Sequence, residues 1–312
     1  MDAVAVVLDG PERLALSRLD LVAGDPATDI VVEVEFSGIS TGTERLFWSG
    51  NMPPFPGMGY PLVPGYETVG RVTLAGPKSG HRDGDRVFIP GSKCFKDTRA
   101  LFGGAASRLV VPGQRAIPVD ERCGDSAVLL ALAATAQHAL GAGQSPDLIV
   151  GHGVLGRLLA RLSLLAGGET PTVWEARPER RQGAVGYRVI APDEDTRRDY
   201  RCICDVSGDS SLLDRLIAHL APGGEIVLAG FYSEPLHFSF PPAFMREARI
   251  RVAAQWSEPD LVTVAALLDS GLLSLDDLIT HRRDASDARD GYRTAFEDPA
   301  CLKMVLDWRA CS

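Results

Sequence analysis

Alternation of apolar and polar positions dominates the first 120 residues. Residues 2–8 and 14–16 predict short strands joined by the turn Asp9-Gly10-Pro11, and residues 30–36 alternate as a half-buried strand does. Further strand patterns lie at 65–74, 84–89, 108–112 and 116–119. Together they predict a compact, β-barrel-like first domain.

The segment from Phe47 to Pro61 interrupts this pattern. It is rich in proline, glycine, aromatic and methionine residues, so it predicts neither a helix nor a strand. We expect an ordered loop that either covers the core or offers a polarizable wall to a flat ligand.

From Asp147 onwards, short apolar runs alternate with helical periodicities. The strand patterns lie at 147–151, 172–176, 187–190, 201–207, 225–231 and 248–254. The helical patterns lie at 154–166, 177–184, 210–220 and 258–270, after a helix rich in alanine and leucine at 126–140. This alternation is typical of a doubly wound parallel sheet, so the fold class is α/β.

The tail adds a helix at 287–297 and a strand at 302–308, and we expect residues 272–312 to pack back onto the first domain. The predicted division is therefore a β-rich substrate and catalytic domain, residues 1–122 and 272–312. A Rossmann dinucleotide-binding domain spans residues 123–271.

A glycine pattern follows the strand at 147–151. Gly151 allows a tight turn, Gly153 lets the backbone approach a pyrophosphate, and Gly156 lets the helix pack closely on the strand. The phosphates would lie at the helix N-terminus. Because the chain has 32 glycines, this spacing is specific only together with the strand before it and the helix after it. The candidate cofactor-binding positions are Gly151, Gly153, Val154, Leu155, Gly156, Glu175, Arg177, Gly208 and Gly230.

Glu175 ends the next apolar run, Thr172-Val-Trp-Glu175, about twenty positions past the glycines. A carboxylate there can accept both ribose hydroxyls and would repel a 2′-phosphate, so it favours NAD. Arg177, Arg180 and Arg181 follow closely and leave NADP as an alternative. A βα unit with incidental glycines and a surface glutamate is the structural alternative.

Charge and composition exclude several function classes. A formal net charge of −9 and a pI near 5.2 disfavour nucleic acid and anionic membrane surfaces as partners. We find neither a signal-peptide pattern nor an apolar run of membrane-spanning length, so we expect no integral membrane segment and a cytoplasmic location. The six cysteines lack disulfide or metal spacing and are expected to be reduced packing residues.

The order of elements resembles the medium-chain dehydrogenase/reductase superfamily over essentially the whole length. Gly38-Ile-Ser40 is similar to the family's Gly-x-Cys, Gly65-Tyr66-Glu67 to its Gly-His-Glu, and Gly84-Asp-Arg-Val87 to its Gly-Asp-x-Val turn. Leu278-Ile-Thr-His281 resembles the start of the return segment. The resemblance implies a GroES-like β-rich domain beside the Rossmann domain.

The departures from the family pattern concern zinc. The catalytic metal of zinc-dependent members would need a thiolate at position 40, an imidazole at 66 and a third ligand near 131, where this chain has Ser40, Tyr66 and Ala131. The four-cysteine structural lobe is reduced to Cys94. We therefore expect a member without zinc.

Within the zinc-free members, residues 38–44, 46–67, 101–106 and 129–138 resemble a dehydrogenase group of bacteriochlorophyll biosynthesis. This resemblance implies NAD-dependent oxidation of the 3-(1-hydroxyethyl) group of a (bacterio)chlorophyllide a to 3-acetyl. The implied partner is a Mg-chlorin or Mg-bacteriochlorin substrate. A homodimer is compatible with the sequence, which leaves the oligomeric state open.

Oxidation of a secondary alcohol without zinc needs a protein group that accepts the hydroxyl proton. Tyr66 is the favoured contact to the substrate oxygen, with Glu67 setting its proton affinity and Ser40 beside it; Thr41 would pass the proton outward through the ribose. His138 is an alternative base. In the competing interpretations Tyr66 only fills the vacated metal pocket and His138 only packs.

Two other functions remain open at this point. One is a zinc-free, NADPH-dependent quinone or enone reductase of the same superfamily, against which Glu175 argues. The other is a catalytically idle protein that senses nucleotides through the same site.

Overall fold

The computed structural model describes residues 1–54, 56–141 and 143–311; Phe55, within the predicted 47–61 loop, lies outside the described residues. The chain forms two compact units, Met1–Ala131 with Leu278–Ser312, and Leu132–Asp277. The boundaries therefore fall at 131/132 and 277/278, where the sequence patterns suggest 122/123 and 271/272. The first boundary lies inside a helix, so no break in periodicity marks it.

Strands build the first part of the first unit. They are β1 (Asp2–Gly10), β2 (Arg13–Asp20), β3 (Asp29–Ile39), β4 (Leu62–Val63), β5 (Thr68–Ala75), β6 (Arg86–Ile89), β7 (Arg99–Ala100), β8 (Arg108–Pro112) and β9 (Ile117–Pro118). β1 and β2 pair as an antiparallel hairpin, and β3 pairs antiparallel with both β5 and β8. Their alternating apolar residues form the core, as the period-2 pattern predicts.

A short helix, α1 (Thr43–Ser49), enters the segment for which we expected neither helix nor strand. That prediction is wrong for residues 47–49. Phe47 is fully buried, Glu44 in the first turn accepts the Ser40 backbone N–H, and Gly50 ends the helix in the left-handed region at φ 73°. These tertiary contacts outweigh the proline-rich composition that follows.

The second unit is reached through a 3₁₀ segment, Glu121–Leu129, and helix α2 (Leu130–Leu140). Its strands are β10 (Leu148–Val150), β11 (Thr172–Trp174), β12 (Arg188–Ile190), β13 (Tyr200–Asp205), β14 (Leu220–Leu228) and β15 (Arg249–Val252). Its further helices are α3 (Val154–Leu165), α4 (Leu213–His219), α5 (Phe240–Met245) and α6 (Glu258–Asp269).

In this described unit the strands form a parallel sheet in the order β12-β11-β10-β13-β14-β15. The order confirms the predicted doubly wound arrangement, and it reverses between β10 and β13. In such sheets ligands bind outside the carboxyl ends of the strands at this reversal. Within the described ranges no helix is long and apolar enough to cross a bilayer.

The helix predicted at 177–184 is wrong. Only a 3₁₀ turn, Pro178–Arg180, is present there. The carbonyls of Arg180, Gln182 and Gly183 accept hydrogen bonds from the guanidinium of Arg157 on α3. Gly183 lies in the left-handed region at φ +80°, so an α-helix cannot continue there, and Arg157, more than twenty residues away, holds the segment in this conformation.

The chain then returns to the first unit with β16 (His281–Asp284), α7 (Ala288–Glu297) and β17 (Met304–Asp307). β17 pairs antiparallel with β3, and β16 pairs parallel with β17. On α7, Tyr292 and Phe296 contact the ring of Trp48, with centroids 6.4 and 6.0 Å apart. The return segment thus completes the sheet and the core of the first unit.

The described cysteines behave as the sequence predicts. Within the described residues none of the six forms a disulfide, and four of them, Cys94, Cys202, Cys204 and Cys301, are buried. Burial raises the pKa of the Cys94, Cys202 and Cys204 thiols, so these groups pack as small apolar side chains.

Candidate functional site

The hydroxyl of Ser40 and the phenol of Tyr66 form a hydrogen bond of 2.6 Å in the first unit. Ser40 directly follows β3, and Tyr66 lies shortly before β5, the antiparallel neighbour of β3. The backbone N–H of Gly38 donates to the carbonyl of Glu67, which holds the two strand ends together. The two residues that stand at zinc-ligand positions in the resemblance are thus adjacent here.

Tyr66 lies partly buried, with its ring edge-on to Phe102 at a centroid distance of 5.1 Å. Burial raises the pKa of the phenol well above its ordinary value, and the neighbouring Glu67 carboxylate raises it further. The hydroxyls of Ser40 and Thr43, which hydrogen-bond to the phenol, oppose that rise. The phenol therefore stays protonated at neutral pH and can accept a proton only while passing its own to a neighbour.

Lys303, which directly precedes β17, is a site residue that sequence reasoning missed. Its Nζ donates to both carboxylate oxygens of Glu67, at 2.9 and 2.7 Å, and to the carbonyl of Ile39 at 3.2 Å. A Cβ at Gly38 would lie 2.2 Å from Glu67 Oε2, so only glycine fits beside this pair. A lone lysine within the apolar run 301–306 is the signal that points to it.

Glu44 is a second residue that sequence reasoning missed. Its side chain is fully buried; Oε1 accepts the Ser40 backbone N–H at 3.1 Å, and Oε2 accepts the Tyr292 hydroxyl at 2.6 Å. Burial raises the pKa of this carboxyl to about 7, while the two hydrogen bonds oppose the rise. A titratable group thus holds the backbone of Ser40.

The other two candidate catalytic residues are Thr41 and His138. Thr41 follows Ser40 and is partly exposed in the connection to α1. His138 belongs to the second unit, where its Nδ1 lies 2.8 Å from Asp260 Oδ2 at the start of α6. The Asp260 carboxylate also accepts from Ser257, so His138 is engaged with a helix N-terminus.

The predicted loop wall is mostly engaged with the core of the first unit. Trp48, Met52, Met58 and Tyr60 are partly buried against that core, and the Tyr60 hydroxyl donates to the Phe47 carbonyl. The described part of the loop thus favours its interpretation as a cover of the core.

The zinc positions of the resemblance are occupied by Ser40, Tyr66 and the buried Ala131. One hydroxyl, one phenol and one methyl do not make a soft ligand set for zinc. Among the described residues no three His, Cys, Asp or Glu side chains are grouped to hold a metal ion. The donor set therefore does not fit the metal.

The glycine turn after β10 fits a pyrophosphate. Gly151 has φ +105°, and a Cβ at Gly156 would lie 1.9 Å from the Gly151 carbonyl oxygen. A Cβ at Gly153 would meet no atom within 4 Å, so there is open space at the N-cap of α3, before Val154 and Leu155. Backbone N–H groups at such a helix start attract phosphate.

Gly208 and Gly230 follow β13 and β14 and lie at the carboxyl edge of the same sheet. Gly208 has φ +72°, and a Cβ at Gly230 would lie 2.9 Å from the Gly208 backbone nitrogen. A Cβ at Gly151 would be 3.3 Å from Ser207. The sheet therefore brings these candidate cofactor-binding glycines to one edge.

Glu175 directly follows β11 at that edge and is 9% exposed. Its Oε2 accepts the His152 backbone N–H at 3.1 Å and its Oε1 accepts the Arg177 backbone N–H at 2.8 Å. Each oxygen keeps a lone pair for a ribose hydroxyl. Arg181 donates to the carbonyls of Glu175 and Ala176, whereas Arg177 is exposed.

Comparison with known proteins shows the family of the chain. Residues 26–121 match the alcohol dehydrogenase GroES-like domain model. The chain is 60% identical to the 2-desacetyl-2-hydroxyethyl bacteriochlorophyllide A dehydrogenase of Cereibacter sphaeroides and 56% identical to that of Rhodobacter capsulatus, each match covering 99% of both chains.

A solved structure supports the fold. An alcohol dehydrogenase from Escherichia coli CFT073, complexed with NADH, matches with a TM-score of 0.81 and 22% identity over 98% of this chain and 99% of that one. Together with the close relatives, this confirms the predicted fold class, a GroES-like domain followed by a Rossmann domain. The chain therefore belongs to the 2-desacetyl-2-hydroxyethyl bacteriochlorophyllide A dehydrogenases, a group of alcohol dehydrogenase-type oxidoreductases in the medium-chain dehydrogenase/reductase superfamily.

Proposed function

We propose that this chain oxidises the hydroxyethyl side chain of bacteriochlorophyllide a to an acetyl group, with NAD as the preferred coenzyme and with protein hydroxyls in place of zinc. The substrate is the one that the names of its two close relatives state. Identity of 60% over 99% of both chains supports the same reaction class in this chain. It also argues against the reductase and the idle nucleotide sensor.

NAD, when bound, would take the hydride from the carbinol carbon. Gly151, Gly153 and Gly156 would hold its pyrophosphate, with Val154 and Leu155 at the helix start and Gly208 and Gly230 lining the same edge. Glu175 would accept the adenosine ribose hydroxyls. A 2′-phosphate would meet this buried carboxylate, and Arg181 is already engaged with backbone carbonyls. NADP would therefore be the weaker ligand, with the exposed Arg177 its main attraction.

The hydrogen-bonded pair of Ser40 and Tyr66 carries the proposed proton transfer. The carbinol O–H proton would pass to Tyr66 Oη while the phenol passes its own proton to Ser40 Oγ, 2.6 Å away. Because the phenol's pKa is raised, this exchange avoids a free phenolate. Ser40 would release its own hydroxyl proton to Thr41, which is partly exposed and would in turn release a proton to solvent, so that both hydroxyls stay neutral.

In this scheme Glu67 acts on Tyr66 through its charge, which Lys303 largely balances. His138 is less suited as the base, because its Nδ1 is engaged with Asp260. We propose that no zinc takes part, since Ser40, Tyr66 and Ala131 do not supply thiolate or imidazole.

The test is turnover of purified hydroxyethyl bacteriochlorophyllide a with NAD, followed by NADH absorbance and by the change in the pigment spectrum. The Tyr66→Phe variant should lose roughly 10²–10⁴-fold in kcat, the usual contribution of acid–base catalysis. Tyr60→Phe, which removes another hydrogen-bonded phenol from the same unit, is the matched control and should retain kcat. Wild-type turnover together with full activity of Tyr66→Phe would remove Tyr66 from the mechanism.

A further inference from the structure

His152 lies between the first two glycines of the phosphate turn, yet its imidazole is fully buried. Its Nδ1 lies 2.6 Å from the Arg180 carbonyl oxygen and its Nε2 lies 2.8 Å from the Tyr187 hydroxyl. A carbonyl only accepts, so Nδ1 carries the ring proton and Nε2 accepts from Tyr187. Burial lowers the pKa of His152 to about 4, which keeps this single neutral tautomer at working pH.

The backbone of His152 is equally engaged. Its N–H donates to Glu175 Oε2 at 3.1 Å, and its carbonyl accepts from Arg157 Nε at 3.2 Å. The remaining guanidinium nitrogens of Arg157 reach the carbonyls of the segment 180–183. One residue therefore ties together the glycine turn, the ribose-side carboxylate and the segment that follows β11.

This segment, residues 176–187, lacks regular structure apart from its single 3₁₀ turn. It contains two glycines in the left-handed region, Gly183 and Gly186, each at φ +80°. Without external ties such a segment would have many conformations and a high entropic cost of ordering on ligand binding. The His152, Arg157 and Tyr187 side chains supply these ties before any ligand arrives.

We propose that His152 is a positioning residue for the adenosine ribose of the dinucleotide, because it holds Glu175 and the 176–187 segment in the binding conformation. The proposal rests on the proposed function insofar as the ligand is a nicotinamide dinucleotide. It adds that the hydrogen bond between His152 and Tyr187 orders the adenosine side of the binding site before the ligand binds, and so increases affinity for the adenosine part of the ligand. His152 itself touches no reacting atom.

The test is calorimetric binding of NAD and of AMP to the full chain without pigment. Tyr187→Phe removes one hydroxyl and keeps the ring that lies edge-on to His152, 5.6 Å between centroids. Loss of one hydrogen bond in this network should raise the dissociation constants of NAD and AMP by the same factor, about five- to tenfold. His152→Asn, whose amide N–H can still donate to the Arg180 carbonyl but does not reach Tyr187, should weaken both ligands to a similar degree.

Tyr200→Phe is the matched control. It removes a buried hydroxyl at the start of β13, the amino-terminal end of this parallel strand, and leaves Asp195 its hydrogen bond from Trp174 Nε1. We expect it to lower the Tm without changing either dissociation constant. A general loss of stability is thereby separated from a loss of positioning.

A second readout is coenzyme discrimination. Once Tyr187 no longer holds the segment, Glu175 should be presented less rigidly, and the ratio of NADP to NAD dissociation constants should fall. Unchanged NAD and AMP affinities in Tyr187→Phe and His152→Asn would overturn the inference while leaving the proposed function intact. A wild-type chain that binds neither ligand would overturn both.

Discussion

Lys303 Nζ donates to both carboxylate oxygens of Glu67, and the two side chains are almost completely buried. This ion pair joins the residue after Tyr66 to the return segment of the chain. The pair has little room for rearrangement, because even a Cβ at Gly38 would lie 2.2 Å from Glu67 Oε2. The first unit therefore holds the hydrogen-bonded side chains of Ser40 and Tyr66 beside a buried ion pair.

Lys303→Met should destabilise the protein by roughly 3–5 kcal/mol, since it leaves a buried carboxylate without its counter-charge. Chemical denaturation would measure this loss. The double variant Glu67→Gln, Lys303→Met is the control and should recover part of it, because the uncompensated charge is gone. A single variant as stable as wild type would show that water or another group satisfies Glu67.

Glu44 should make stability depend on pH. Its folded pKa of about 7 lies above the ordinary value of 4.5, so the folded chain binds more protons between these values. Its contribution to the free energy of unfolding is fully present below pH 4.5 and is lost as the pH rises through 7. Relative to Glu44→Gln, the free energy of unfolding of the wild type should fall by roughly 2 kcal/mol between about pH 5.5 and pH 8. Parallel stability curves for the two proteins would contradict a raised pKa.

Two glycine variants separate folding from binding. Gly156→Ala would place a Cβ 1.9 Å from the Gly151 carbonyl, so it should distort the turn and lower both Tm and NAD affinity. The Cβ of Gly153→Ala would meet no protein atom within 4 Å, so this variant should keep the Tm. It should lower the affinity for NAD, because the Cβ would occupy the space proposed for the pyrophosphate. Calorimetry and thermal melts on both variants provide the comparison. Unchanged NAD affinity of Gly153→Ala would place the phosphates elsewhere.

Ser40→Ala should lower kcat about ten- to hundredfold, because Tyr66 loses the neighbour that takes its proton. Ser49→Ala, on α1 of the same unit, is the matched control and should keep full kcat, since its hydroxyl bonds only a local helix carbonyl at 3.4 Å in the described structure. Steady-state kinetics with the pigment would distinguish the two. Equal rates for both variants would remove Ser40 from the proton path.

The parts of the site that local pattern predicts are those that consecutive residues build. Gly151, Gly153 and Gly156 follow a strand and open a helix, whereas Ser40 and Tyr66 are identified by their resemblance to the zinc-ligand positions of the superfamily. The fold class follows for the same reason, because a period-2 pattern followed by alternating strands and helices has few packing solutions.

The parts that sequence reasoning missed depend on distant partners. Lys303 lies 236 positions from Glu67, and Tyr292 lies 248 positions from Glu44. No local pattern identifies such pairs, although a charged residue inside an apolar run is a warning. The predicted helix at 177–184 is wrong for the same reason, because the distant Arg157 on α3 holds that segment in a non-helical conformation.

Oxidation without zinc is tested most directly on protein that has been treated with a strong zinc chelator. Its turnover of hydroxyethyl bacteriochlorophyllide a with NAD and its metal content are measured on the same sample. We expect an unchanged rate and zinc far below one atom per chain. Activity that is lost on chelation and restored by added zinc would contradict it.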